Sequence, residues 1–262
     1  MSTNPGELAE IANAAIDAVV PRLRAAHQRT DLATETKSSA TDLVTECDRW
    51  SEETMVALIT ATRPGDGFIG EEGASVEGQT GVVWLLDPID GTTNFVYDLP
   101  GSSVSVAATI DGERAVGAVH DLVRDERFRA VRGEGASRDG RSIQVSGNID
   151  LATALVATGF SYDATRRRTQ AETLVGVLPA VRDIRRLGGA AIDLCALACG
   201  RVDAYYELGL SPWDFAAGAL IATEAGAILD DRMAAGGALA GATPAIAEPF
   251  FSLLDHAGAH RG

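Results

Sequence analysis

Three cysteines in 262 residues, Cys47, Cys195 and Cys199, are too few for a disulfide framework. So few thiols fit a reducing compartment, and a cytoplasmic location is expected. No apolar stretch approaches the ~18 residues that a membrane-spanning helix needs, so no membrane association is expected. The first ten residues, MSTNPGELAE, carry no basic region followed by an apolar run, so no signal peptide is expected either. Positive charge is scarce: Lys and Arg number 22 against 37 Asp and Glu, a net charge of −15. That balance argues against direct nucleic-acid binding and against anionic membranes, which both require clustered positive charge. Lysine is nearly missing, since 21 of the 22 basic residues are arginine and Lys37 stands alone.

What remains is ordinary globular composition, 46% hydrophobic and 23% charged. At ~150 residues per domain the chain makes one large domain or two modest ones. Leu8, Ile11, Ala15, Val19 and Leu23 predict a helix over 6–28, with Pro21 as a place for a kink. Residues 31–46 read as a hairpin or loop. A second helix is predicted over 48–62, with Met55, Leu58, Ile59 and Thr62 on one face. Strands at 68–70, 82–86, 103–110, 115–121 and 127–131 lie close together with turns between them, which predicts an antiparallel sheet. Residues 133–146 read as a turn and a short strand closing this half. Beyond 147 the rhythm changes. Strands at 155–158, 181–185, 204–207 and 227–229 alternate with helices at 166–179, 190–200 and 213–225, which predicts crossover connections. The expected class is therefore α/β in two halves, 1–146 and 147–262. MAAGGALAG (233–241) reads as a mobile surface segment.

The chemistry concentrates in WLLDPIDGTTNF, residues 84–95. An apolar strand ends in Asp87, and Pro88 is expected to stop it. Asp90, Gly91 and two threonines follow. A glycine and a helix start offer backbone N–H groups to a phosphate. Two carboxylates ~4 Å apart repel by ~4 kcal/mol at an effective dielectric of 20, unless a cation lies between them. Hard oxygen donors select Mg²⁺, Mn²⁺ or Ca²⁺. FIGEEG (68–73) places Glu71 and Glu72 after another short strand, and SPWDFAAG places Asp214 at a helix start. Each acid also has an ordinary reading: a turn for Asp87, Asp90, Glu71 and Glu72, a helix N-terminal charge for Asp214, an N-cap for Asp48. Cys195 and Cys199 read as two small buried thiols, Arg166, Arg167 and Arg168 as an exposed helix start with a possible phosphate-steering role, and Trp213, Tyr205 and Tyr206 as core.

DPIDGTTNF and WDFAAGALIATEAGA, in that order and about 125 residues apart, together with KSSATDLVTECD and DAYYELG, carry a resemblance. The chain resembles the inositol monophosphatase family of Mg²⁺-dependent, lithium-sensitive phosphatases, from about Leu8 to Leu254. The resemblance implies a sugar-phosphatase fold of alternating α-β-α-β-α layers, with an antiparallel half and a mixed or parallel half. It implies two to three Mg²⁺ ions: Glu71, Asp87 and the carbonyl of Ile89 at the first, Asp87, Asp90 and Asp214 at the second, Glu71 with waters at a third. Li⁺ would inhibit at the second. Gly91 and Thr92 would hold the phosphate. Thr92, bonded to Asp48, would orient the attacking water together with Glu71. Asp90, Glu207 and the backbone at Ala191 would meet the substrate's hydroxyls, and Lys37 would lie in a loop closing over the metals. The implied activity is hydrolysis of myo-inositol 1-phosphate by a homodimer. Histidinol phosphate, fructose 1,6-bisphosphate and 3′-phosphoadenosine 5′-phosphate are alternative substrates, and a regulatory, partner-binding protein on the same fold is an alternative role. One departure stands out: Gly189 occupies a position where relatives commonly carry Ser or Thr.

Overall fold

The computed structural model describes residues 3–27, 34–36, 43–233 and 236–259. Helix α1 (Pro5–His27) runs through Pro21 and buries Leu8, Ile11, Ile16, Val19 and Leu23. Strands β1 (Thr34–Thr36) and β2 (Leu43–Thr45) pair as an antiparallel hairpin, as the sequence suggests. Helix α2 (Glu46–Thr62) starts earlier than expected because Thr45 is its N-cap; Asp48 sits at the third helical position as Thr45's partner, not at the cap itself. Its buried stripe is Cys47, Asp48, Ser51, Glu52, Met55 and Ile59, whereas Thr62 is exposed in the last turn.

Eight strands form the first sheet. They are β3 (Gly67–Gly70), β4 (Ser75–Val76), β5 (Val82–Asp90), β6 (Ser103–Ile110), β7 (Glu113–Asp121), β8 (Glu126–Val131), β9 (Ala136–Arg138) and β10 (Arg141–Ser142). The order is β10-β9-β8-β7-β6-β5-β3-β4. It is not wholly antiparallel, because β3 runs parallel to β5. The stretch 133–146 closes the sheet with two short strands rather than one. Pro88 does not end β5 either. The strand continues to Asp90, and its register with β6 breaks between Asp87 and Asp90. That irregularity is where a residue without an N–H fits a central strand. Helix α3 (Thr92–Val96) follows directly.

The second sheet contains β11 (Leu155–Thr158), β12 (Asp183–Arg185), β13 (Ala204–Leu208), β14 (Ile228–Asp231) and β15 (Ala238–Ala242) in the order β12-β11-β13-β15-β14. β11 is parallel to β12 and β13, while β15 is antiparallel to both its neighbours. The expected mobile segment is half wrong: 238–241 lie in β15, fully buried inside the sheet. The small residues there reflect close packing. A β-carbon at Gly241 would fall 2.6 Å from Leu229 and 3.0 Å from Leu197. Helices α4 (Ala164–Val177), α5 (Ala190–Ala198), α6 (Pro212–Glu224) and α7 (Pro244–Ala257) complete the chain; α7 occupies a stretch where the sequence suggests no element.

Three apolar clusters define the layers. α1 and α2 pack on one face of the first sheet through Leu8, Met55, Trp84 and Val106. α5 and α6 fill the space between the sheets, against Leu85 and Phe128 on one side and Tyr205 and Leu239 on the other. α7 covers the outer face of the second sheet through Ile246 and Phe250. The result is the expected α-β-α-β-α sandwich.

Candidate functional site

The end of β5 delivers two acids into one place. Asp87 and Asp90 are both buried, and the irregular register between them lets both reach the same cavity. Gly91 then turns the chain with φ of 83°, a left-handed conformation that favours glycine, and caps α3. The Thr92 hydroxyl lies 3.0 Å from the Ile89 carbonyl and 3.3 Å from Asp48 Oδ1. Asp48 Oδ2 meanwhile accepts from the Thr45 N–H at 2.8 Å and the Thr45 hydroxyl at 2.6 Å. Asp48 thus braces the start of α2 as the partner of the Thr45 cap and faces Thr92 with its other oxygen.

Glu71 follows β3, and its N–H donates to the Leu86 carbonyl at 3.1 Å, which ties it beside β5. The next turn is held by Glu52, a buried acid on α2 that accepts from the N–H groups of Glu72 and Ala74, both at 2.8 Å. Sequence reasoning missed Glu52. The available signal was a second acid, one helical turn from Asp48, on the apolar face of α2. Asp214 enters from α6, where its carboxylate accepts from the Ser211 N–H at 2.6 Å.

These elements enclose a cavity of about 100 Å³ lined by Glu71, Asp87, Ile89, Asp90, Gly91, Thr92, Glu207 and Asp214. Asp48 stands behind it, acting through Thr92. Ala191 does not line it: its N–H donates to Asp90 Oδ2 at 2.8 Å, and the neighbour that reaches the wall is Ala190. Lys37 lies outside the described residues. Arg186, Phe160 and Leu210 also line the wall and were not found from sequence, and Tyr162 joins them. A larger groove, about 480 Å³, runs between α1 and β7–β10, but its only acids are Glu10 and Glu134, both exposed. The buried acids converge on the smaller cavity.

Packing so many acids together has an electrostatic cost. Burial, then the charges of Glu71, Asp90 and Asp214, pushes Asp87 well above the usual carboxylate range. Burial also raises Asp90 to about 7, against the opposing pull of the Ala191 N–H. Asp214 is raised by burial and by Asp90 and Glu71, and Glu207 by burial.

A divalent cation would relieve this crowding. The donors are all hard oxygens, converging from β5, the turn after β3 and α6, and their mutual repulsion disappears once a cation lies among them. As the side chains stand, no three acids among the described residues are disposed as a finished metal cage. Their oxygens rest on backbone amides instead: Asp87 on Ile89 at 3.1 Å, Asp90 on Ala190 and Ala191, Asp214 on Ser211. In kind, these oxygen donors suit a hard divalent cation.

Glu207, on β13, is braced by the Tyr205 hydroxyl at 3.0 Å. Tyr205 and Tyr206 are buried as expected, Trp213 is half-buried, and of the cysteine pair Cys195 is buried while Cys199 is half-buried.

Comparison with known proteins agrees with this geometry. The sequence profile of the inositol monophosphatase family matches residues 4–253. Inositol-1-monophosphatase SuhB of Mycobacterium tuberculosis is 44% identical over 237 residues, covering 86% of this chain and 82% of that protein. Nus factor SuhB of Pasteurella multocida is 43% identical over 206 residues, covering 78% of this chain and 77% of that protein. The solved inositol monophosphatase of Anabaena superposes with a TM-score of 0.85 at 32% identity, over 97% of each chain.

Proposed function

The chain belongs to the inositol monophosphatase family, and on that premise we propose that it hydrolyses myo-inositol 1-phosphate, or a closely related phosphorylated polyol, to the free alcohol and phosphate. The observation that carries this reading is the convergence of Glu71, Asp87, Asp90 and Asp214 on one cavity beside Gly91 and Thr92. Glu71, Asp87 and the Ile89 carbonyl would hold one Mg²⁺, Asp87, Asp90 and Asp214 a second, and Glu71 a third; Li⁺ would compete at the second. Bound there, the ions supply an acidified water and neutralise charge on the phosphoryl oxygens.

The chain's own residues do the rest. The Thr92 hydroxyl has one proton, directed to Asp48 or Ile89. Its lone pairs are left to accept from the attacking water, whose other proton faces Glu71. The N–H groups of Gly91 and Thr92, at the open start of α3, hold phosphate oxygens. Glu207 and Asp90 accept from hydroxyls of the alcohol, and Ala190 rather than Ala191 forms the adjoining wall. The active form is proposed to be a cytoplasmic homodimer.

Phosphate release from myo-inositol 1-phosphate, histidinol phosphate, fructose 1,6-bisphosphate and 3′-phosphoadenosine 5′-phosphate, each with Mg²⁺ and with EDTA, tests this. Mg²⁺-dependent preference for the inositol ester is expected; preference for another ester moves the substrate and keeps the chemistry. Asp87→Asn or Asp214→Asn should lower kcat at least ~10²-fold with the fold intact, as loss of an electrostatic element does. Wild-type turnover in either variant would remove that ligand from the site. A second reading draws on the relative named Nus factor. Negligible phosphatase activity, with a protein partner co-purifying one to one, would favour it. The full set of acids favours the enzyme.

A further inference from the structure

Helix α2 presents two buried acids to the candidate site, at two different points. Asp48 and Glu52 are four residues apart, hence one turn apart on the same face, and are 0% and 4% exposed. Asp48 faces the Thr92 hydroxyl at 3.3 Å. Glu52 reaches the turn that carries Glu71. One of its oxygens accepts from the Glu72 N–H and the other from the Ala74 N–H, both at 2.8 Å. Met55 and Ile59, further along the same stripe, seat α2 on the first sheet.

That turn lies at the edge of the first sheet, where β4 is the last strand and pairs with β3 over two residues. The Glu71 N–H donates to the Leu86 carbonyl at 3.1 Å, which fixes the backbone before Glu71. The two bonds to Glu52 fix it after. Water could reach the same N–H groups, because Glu72 and Ala74 are only half-buried. Burying a carboxylate for this purpose is a costly route to stability. It is an effective route to geometry, since one rigid group places two amides at once. Gly70 is matched to it: a β-carbon there would stand 2.3 Å from Glu52 Oε2.

We infer that Glu52 is a positioning residue for catalysis, setting where the Glu71 carboxylate stands. Through Asp48 and Glu52, α2 then fixes the spacing between Thr92 and Glu71. Those two groups face the attacking water in the proposed reaction, and the inference rests on that reading. A shift of the turn misaligns the water and weakens any ion bound through Glu71. An ion held by Asp87, Asp90 and Asp214 keeps its ligands.

Two variants disturb Glu52 by different routes. Glu52→Gln keeps its size but turns an NH₂ group towards one of the two N–H groups. Gly70→Ala displaces the carboxylate and leaves its chemistry alone. The readouts are Mn²⁺ binding, followed by electron paramagnetic resonance of the free ion, and kinetics on myo-inositol 1-phosphate with Mg²⁺, both well below each variant's melting temperature. Each variant should weaken Glu71-dependent Mn²⁺ binding about 10-fold, the lower end of what outer hydrogen-bond partners of a metal site contribute. At saturating Mg²⁺, kcat should fall about 10-fold with KM for the ester little changed. Adding Glu52→Gln to Glu71→Gln should cost nothing more in either readout, because Glu52 acts through Glu71. Losses that add in the double variant overturn the inference. So does a lower melting temperature in EDTA with wild-type Mn²⁺ binding and kcat, which leaves Glu52 a structural role alone. If Glu52→Gln does not fold, Gly70→Ala decides by the same readouts. If wild type binds Mn²⁺ but hydrolyses no ester, the proposed reaction fails by itself. The Mn²⁺ constants then decide the role of Glu52: weaker binding by the variants supports it, unchanged binding overturns it. A wild type that binds no Mn²⁺ overturns both.

Discussion

Asp90 and Gly189 show how closely single residues are matched here. The N-cap of α5 is Gly189, which has no side chain to offer. Asp90 takes that place from another element, accepting from Ala190 at 3.1 Å and Ala191 at 2.8 Å. A β-carbon at Gly189 would fall 2.2 Å from the Asp90 carboxylate. Gly189→Ala is therefore expected to displace Asp90, leave two amides unpaired and cost about 1 kcal/mol, while Gly189→Ser restores a hydroxyl cap and much of the loss. Denaturant midpoints of the two variants in EDTA check this ordering. The acids of the site also make metal-free stability depend on pH. A carboxyl raised to about 7 in the folded chain, as Asp90 is, binds more protons folded than unfolded once pH exceeds its unfolded pKa of ~3.9. Stability should then fall as pH rises through that window and level off above it. Asp87 and Asp214, raised in the same direction, add to the slope. Melting in EDTA should therefore come at a higher temperature near pH 5 than near pH 8, with Mg²⁺ flattening the difference because it takes the protons' place. A flat profile in EDTA would contradict the burial of these acids.

At the scale of elements, what matters is how strand and helix ends are pinned. Asp66 does this at the starts of β3 and β5. Its carboxylate accepts from Arg63 at 2.6 and 3.1 Å, from Thr80 at 2.6 Å and from the Trp84 indole at 2.9 Å, joining the end of α2 to β5. Burial alone would raise its pKa, but those three donors outweigh it and hold the carboxyl below the usual range. Its contribution is present above the unfolded pKa and is lost as pH falls through the folded one. Asp66→Ala strands a half-buried guanidinium and an indole N–H, and should cost about 3 kcal/mol, read as a shift in the urea midpoint. This network was not legible in the sequence. By residue type Pro64-Gly65-Asp66-Gly67 is only a helix stop, because nothing local shows that Arg63, Thr80 and Trp84 converge on the same acid. The α2 boundary was misplaced for a related reason: Asp48 favours a cap by type, but Thr45 holds the cap and uses Asp48 as its partner.

Across the whole molecule, the candidate metal ligands come from separate layers. Asp87 and Asp90 belong to the first sheet, Glu71 to the turn held by α2, and Asp214 to the helix between the sheets. An ion binding all of them stabilises the assembled fold and not its parts. Mg²⁺ at ~100 times its dissociation constant should add ~2.7 kcal/mol to stability by mass action. A rise in melting temperature with Mg²⁺ in wild type, absent in Asp87→Asn, is the expected result. Equal rises in both would place the ion elsewhere.

The sequence by itself determined most of the elements before β14 and singled out the acids. Local spacing set α1, β6 and β11 almost to the residue, and the DPIDGTT and PWDFAAG motifs pointed to acids that line one cavity, because helix period, strand composition and turn chemistry are properties of neighbouring residues. Only the tertiary structure decided that β3 runs parallel to β5, that the glycine-rich 238–241 is a buried strand, and that Glu52, Ala190 and Arg186 serve the cavity. Those facts depend on which distant surfaces meet. A glycine that bends freely and a glycine that makes room for a neighbour are the same letter until the neighbour is in place.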